Sequence, residues 1–128
     1  MLRVLVFDRI LDSDDVTRVA AVDRVDERQN TIRQELSMAL AAVMTQTLLP
    51  KVGGGVIPAA ELLMVSYGAR QHIRRNALQH LHQETTITRK AGSFTFEESL
   101  AQLVKQGLVE RQDALARAMH VEELENLL

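Results

Sequence analysis

Leu48-Leu49-Pro50-Lys51-Val52-Gly53-Gly54-Gly55-Val56-Ile57-Pro58-Ala59-Ala60-Glu61-Leu62-Leu63-Met64-Val65 places two apolar runs on either side of three consecutive glycines. Glycine enters the positive-φ conformations of a tight turn without steric cost, so the stretch reads as an antiparallel hairpin at about 47–65. Pro58 lacks an N–H for a central ladder and belongs on an edge strand. The same glycines could wrap an anion, but Val56 and Ile57 follow them where a phosphate cradle needs the N-terminus of a helix.

Working upstream, Ile32, Leu36, Leu40, Val43 and Thr47, with Ala39 and Leu48 filling in, recur at three-and-four spacing. That period predicts one long amphipathic helix from about Asp26, ending at or before Leu49 because Pro50 disfavours helix in the residue before it. Residues 2–11, Leu-Arg-Val-Leu-Val-Phe-Asp-Arg-Ile-Leu, read as a strand, and Ser13 with Asp14 and Asp15 as a helix cap; the outer edge of the hairpin should be either covered by residues 2–11 or available for self-association. Residues 1–25 thus form a leader with a strand and a short helix, and 26–128 a helical domain.

Downstream, Ser66 can cap a helix through Arg75, and Asn76 with Ala77 breaks it before a second helical stretch that ends near Gly92. Thr95-Phe96-Glu97-Glu98 is a capping box: the Thr95 hydroxyl can accept the Glu98 N–H while the Glu98 carboxylate takes the Thr95 N–H. Leu100, Leu103 and Val104 give that helix its buried face and Gly107 stops it, after which short helices are expected at about 111–118 and 121–127. The fold class is mainly α: a bundle of short helices with one long amphipathic helix and a small β-hairpin.

The 128 residues and 14.3 kDa suit one domain and one modest core. Aromatics make up only 3%, so aliphatic side chains and Met must fill that core. A net charge of −2 and a pI near 6.1 argue against nucleic-acid binding by bulk electrostatics and against a polybasic membrane anchor. The absence of cysteine removes disulfide scaffolds, thiolate zinc sites and thiol nucleophiles. No apolar run approaches the roughly 20 residues that span a bilayer, and a cytoplasmic location is expected. Charge is nonetheless segregated. Residues 66–92 carry five basic side chains against one acidic, and 93–128 carry seven acidic against three basic. The basic stretch could suit a DNA-binding helix pair, but the acidic third would repel phosphate.

Little catalytic chemistry is encoded. A P-loop needs Gly-Lys-Ser/Thr, yet Lys51, Lys90 and Lys105 are followed by Val52, Ala91 and Gln106. His80 and His82 would point about 200° apart on one helix, and with His72 and His120 they read as half-exposed helix histidines. Glu97 with Glu98, and Glu122 with Glu123, sit in first turns, where negative charge offsets the helix dipole. No catalytic, cofactor-binding or metal-ligating set emerges from spacing.

The order of pieces resembles a known family. Thr-Gln-Thr-Leu-Leu-Pro-Lys (45–51), the glycine turn, Val-Ile-Pro-Ala-Ala-Glu-Leu-Leu (56–63), the arginine-rich helix, Phe-Glu-Glu-Ser-Leu-Ala-Gln-Leu-Val-Lys-Gln-Gly-Leu-Val (96–109) and Ala-Leu-Ala-Arg-Ala (114–118) resemble the C-terminal region of the twitching-motility ATPases that retract type IV pili. Type II secretion ATPases share parts of it. The resemblance covers about residues 21–128 and implies the C-terminal part of a RecA-like α/β motor. In that family the arginine helix carries the signature Ala-Ile-Arg-Asn-Leu-Ile-Arg-Glu, implicated in retraction. Here Gly68-Ala69-Arg70-Gln71-His72-Ile73-Arg74-Arg75 keeps both arginines and the second isoleucine, with His72 for Leu and Arg75 for the terminal Glu. Arg70, Ile73, Arg74 and Arg75 are therefore the interaction residues that the resemblance implies. The family also caps its last two helices with Ser or Asp, where this chain has Glu110 and His120.

The resemblance further implies a hexameric pilus-retraction or secretion motor whose C-terminal domain transmits nucleotide-driven motion through subunit contacts. Its partners would be the ATPase core, neighbouring subunits and inner-membrane platform proteins, with no nucleic acid and no membrane insertion. ATP and magnesium belong to the parent family's upstream P-loop, acidic segments and histidine box, which the matched region lacks. The chain alone should need no cofactor and should not hydrolyse ATP. The alternative is a stand-alone helical adaptor that binds a protein partner.

Overall fold

A computed structural model of the chain describes residues 5–6 and 26–128; the expected helix cap at Ser13 to Asp15 and the segment 21–25 lie outside the described residues. The elements are β1 (Leu5–Val6), α1 (Asp26–Ala39), β2 (Ala42–Pro50), β3 (Val56–Met64), α2 (Tyr67–Arg74), α3 (Leu81–Ile87), α4 (Phe96–Lys105), α5 (Arg111–Arg117) and α6 (Val121–Leu127), with 3-10 turns at Leu78–His80 and Arg89–Ala91. The described residues are thus mainly α with a small antiparallel sheet of order β1-β2-β3.

The expected long helix is corrected here. α1 stops at Ala39, where the Leu40 N–H closes the last turn on the Leu36 carbonyl, and Ala42–Pro50 is a strand. The hairpin therefore runs over 42–64 and not from about 47. The apolar period misleads for a reason visible in the packing: Leu36 at the end of α1, Leu40 in the link and Val43 at the start of β2 all enter one cluster with Ile73, Val65 and Leu81. A helix end and a strand start that face the same cluster mimic a continuous helical stripe. Pairing along all of β2, from Ala42 against Met64 to Pro50 against Val56, decides for strand.

The glycine turn is as expected. Gly53, Gly54 and Gly55 have φ of 87°, 111° and 80°, and the Lys51 N–H and Gly55 carbonyl close the turn at 3.0 Å. β1 pairs with β2 through Leu5 opposite Met44 and Val6 opposite Val43, which covers the inner strand's edge. β3 has its own cover. On that edge Pro58 has no N–H, the Ala60 N–H donates to Ser99 Oγ, Leu62 exchanges two backbone hydrogen bonds with Phe94, and the Met64 N–H donates to Ser93 Oγ. Pro58 thus sits on the outer strand, the place its chemistry requires.

Because paired residues share a face of the pleat, Val43, Leu49, Ile57, Ala59, Glu61 and Leu63 line one side of the hairpin. Toward the turn, Leu49, Ile57 and Ala59 pack with Phe96, Leu100, Val109, Ala114 and Leu124 of the last three helices and their links. At the open end, the smaller cluster holds α1 and α2. The capping box forms with both reciprocal bonds, Glu98 N–H to Thr95 Oγ1 at 3.2 Å and Thr95 N–H to Glu98 Oε2 at 2.8 Å. Ser66 caps α2, accepting the Ala69 N–H at 3.1 Å.

Candidate functional site

The arginine helix α2 is anchored on one side and open on the other. Ala69 and Ile73, four apart, are buried, and Ile73 lies against Leu40. This fixes the rotation of the helix and sends Arg70 and Arg74 toward the end of α1. Arg70 donates through Nη1 to the Ser37 carbonyl and, at 3.1 Å, to the Met38 carbonyl; Arg74 Nε donates to Ser37 Oγ at 2.9 Å. Ser37 is fully buried and its hydroxyl donates a hydrogen bond to the Gln34 carbonyl at 2.7 Å.

The last turn of α1 contains no basic residue, so α2 supplies the positive charge that its C-terminal carbonyls favour. The acidic 93–128 segment meets a basic side chain at Arg89, whose Nη2 lies 2.7 Å from Glu98 Oε1. Arg75 and Tyr67 are exposed.

His72, which replaces the family's Leu, faces α3. Its Nε2 is 3.4 Å from Glu84 Oε1, its ring centroid is 5.0 Å from that of His80, and Glu84 Oε2 accepts the Ser66 hydroxyl at 2.9 Å. Gly68 is packed against this carboxylate: a Cβ there would lie 2.6 Å from Glu84 Oε1. The cap of α2, its glycine and α3 are therefore locked by one buried Glu.

A second constellation gathers residues that spacing kept apart. His82 on α3 stacks on His120 at the start of α6, with ring centroids 3.9 Å apart and planes 21° from parallel. His82 Nε2 lies 2.9 Å from Glu123 Oε2, and Glu123 Oε1 accepts the Thr95 hydroxyl at 3.0 Å. Glu97, in the first turn of α4, is fully buried. Its Oε1 accepts the N–H groups of Met119 at 3.0 Å and His120 at 2.9 Å and lies 3.5 Å from His120 Nδ1, whereas its Oε2 has no hydrogen-bond partner among the described residues.

One expectation changes here. Glu97 does more than offset its own helix dipole, because it caps α6 from another helix. That contact explains how α6 forms although its N-cap residue, His120, makes no side-chain capping bond. His120 and Glu123, three apart, were the one usable signal in the sequence; the approach of His82 and Glu97 depends on tertiary folding.

Glu61 lies beside this group on the inner face of β3. Burial pushes its carboxyl above the ordinary value of 4.5, and the Glu97 charge adds to that rise, while the Phe96 N–H donated to Oε2 at 3.3 Å and the nearby imidazoles oppose it.

Over most of its length the chain is homologous to the ATPases of type IV pilus retraction and twitching motility. It is 30% identical over 103 residues to the type IV pilus retraction ATPase PilT of Pseudomonas aeruginosa, covering 80% of this chain and 30% of that protein. It is 31% identical over 110 residues to a twitching motility protein of Neisseria gonorrhoeae, covering 85% of this chain and 29% of that protein.

A crystal structure of the pilus retraction motor PilT with bound ADP superposes with a TM-score of 0.65 at 34% identity, over 88% of this chain and 31% of that one. The ATPase DotB of Legionella pneumophila, at 12% identity and a TM-score of 0.56 over 81% of this chain and 28% of that one, shares the fold. The chain spans 26% to 30% of the length of the curated relatives it matches. No protein-family model matches it. No described helix is long and apolar enough to cross a membrane.

Proposed function

We propose that this chain is the C-terminal domain of a hexameric pilus-retraction or secretion motor ATPase, acting in the cytoplasm. It passes nucleotide-driven motion between subunits without a nucleotide site of its own. The observation that carries this reading is the superposition on the retraction motor at 34% identity over 88% of the chain. The sequence supports the second half: none of its three lysines stands in a phosphate loop. ATP and magnesium would be held by the ATPase core, and the partners are that core, neighbouring subunits and the inner-membrane platform.

In this reading α2 is the transmitting element. Arg70 and Arg74 clasp the end of α1, and Ile73 seats the helix on Leu40, so a displacement of α2 carries α1 and the start of β2 with it. Arg75 and Tyr67 offer the outward contact to a neighbouring subunit.

The test mixes this chain with a separately expressed P-loop core of the same family and follows mass by light scattering. The expected result is a stable complex that Arg75→Ala weakens, and calorimetry of the chain alone that shows no micromolar affinity for ATP. A chain that ignores the core, or binds ATP tightly by itself, overturns the proposal.

A further inference from the structure

We propose that His82, Glu97, His120 and Glu123 form a structural site for a divalent transition metal, Zn2+ by its ligand chemistry, that staples α3, α4 and α6 together. Each residue offers one donor atom, and the four atoms lie within 4.8 Å of one another. A tetrahedral zinc site with bonds of 2.0–2.1 Å has donor separations of about 3.3 Å, so the set has to contract by at most about 1.5 Å to hold the ion. Imidazole and carboxylate oxygen suit zinc, and two carboxylates with two neutral imidazoles balance a 2+ charge.

The second observation is Glu97 itself. Its side chain is 1% exposed, and Oε2 has no hydrogen-bond partner among the described residues. An orphaned carboxylate oxygen at that depth is costly, and a coordinated cation is the partner that removes the cost. The remaining donors are prepared in the way ligands are. Thr95 fixes one oxygen of Glu123 and leaves the other toward His82, and the backbone of Met119 and His120 fixes Oε1 of Glu97. His82 and His120 have side chains 29% and 48% exposed, which gives an ion a path from solvent. The inference stands on these residues alone and does not depend on the motor reading.

The test uses the full chain stripped with EDTA and titrated with zinc chloride. Calorimetry should give one ion per chain with a Kd of about 10 µM or tighter, and saturating zinc should raise Tm by about 5 °C or more. His82→Ala and His120→Ala should each weaken binding at least about tenfold, whereas the control His72→Ala with His80→Ala should not. X-ray absorption on the zinc-loaded wild type needs no variant, and should show N/O ligands at about 2.0–2.1 Å including two imidazoles. Absence of saturation by about 100 µM zinc, a site abolished by the His72/His80 control, or a shell without two imidazoles overturns the proposal.

Discussion

Arg70 spends its guanidinium on two neutral carbonyls, those of Ser37 and Met38, and not on a carboxylate. Arg70→Ala should cost about 1–2 kcal/mol in urea unfolding, because it strips two acceptors of a charged donor at a half-buried site. The loss should fall only slightly in high salt, unlike that of an exposed ion pair. Arg70→Lys should recover part of it, since a point charge cannot span two acceptors as a guanidinium does. Arg75→Ala, at an exposed position, should stay within about 0.5 kcal/mol.

Glu61 makes the opposite kind of prediction. Burial raises its folded-state pKa, so the folded chain holds that proton more tightly than the unfolded one. Its favourable contribution is present below the ordinary value of 4.5 and is lost as pH rises through the raised folded value. Glu61→Gln, which never ionises and can still accept the Phe96 N–H, should therefore gain in Tm relative to wild type as pH goes from 4.5 toward neutrality. A difference that is flat or reversed over that window would count against the assignment.

At the scale of elements, the outer edge of β3 depends on a directed relay. The Met64 N–H donates to Ser93 Oγ at 2.8 Å, the Ser93 hydroxyl lies 2.6 Å from Thr88 Oγ1, and the Thr88 hydroxyl donates to the Glu84 carbonyl at 2.6 Å. Two hydroxyls, those of Ser93 and Thr88, thus join the sheet to the end of α3. Ser93 is buried and lies outside any helix, so Ser93→Ala gains nothing in helix propensity and should cost roughly 1–3 kcal/mol. Ser99→Ala also removes a donor's partner, that of the Ala60 N–H, but Ser99 sits inside α4, where alanine returns roughly 0.5 kcal/mol. It should be the milder change, and thermal melts of the two variants side by side test the order.

For the molecule as a whole, the last helix is held by packing more than by its own chemistry. α6 has seven residues and no side-chain cap of its own, yet Leu124 is completely buried among Leu49, Phe96, Leu100 and Ala114. A helix that short is marginal by itself. Leu124→Ala should therefore cost about 2–5 kcal/mol, while Met119→Ala, at a residue 78% exposed, should be nearly silent. Urea unfolding with an unchanged m-value would confirm that the large loss is one of packing.

Local chemistry determined much of this protein. Gly53 to Gly55 fix a turn, Ser66 and Thr95 start helices through hydroxyls that accept nearby N–H groups, and Gly92 and Gly107 end segments at φ of 110° and 69°. Each of these interactions closes within a few residues, so spacing alone reveals it. The end of α1 was not legible in that way. Leu36, Leu40 and Val43 satisfy a helical period, and only pairing with β3, brought in by the turn, makes strand of Ala42–Pro50. The grip of Arg70 and Arg74 on Ser37 likewise joins positions 33 and 37 residues apart. The His82, Glu97, His120 and Glu123 group draws on three helices, and no period within one helix can signal it. Sequence determined what forms through local hydrogen bonds and turn sterics; tertiary structure decided what requires distant segments to share one buried place, because only packing supplies the free energy that brings them together.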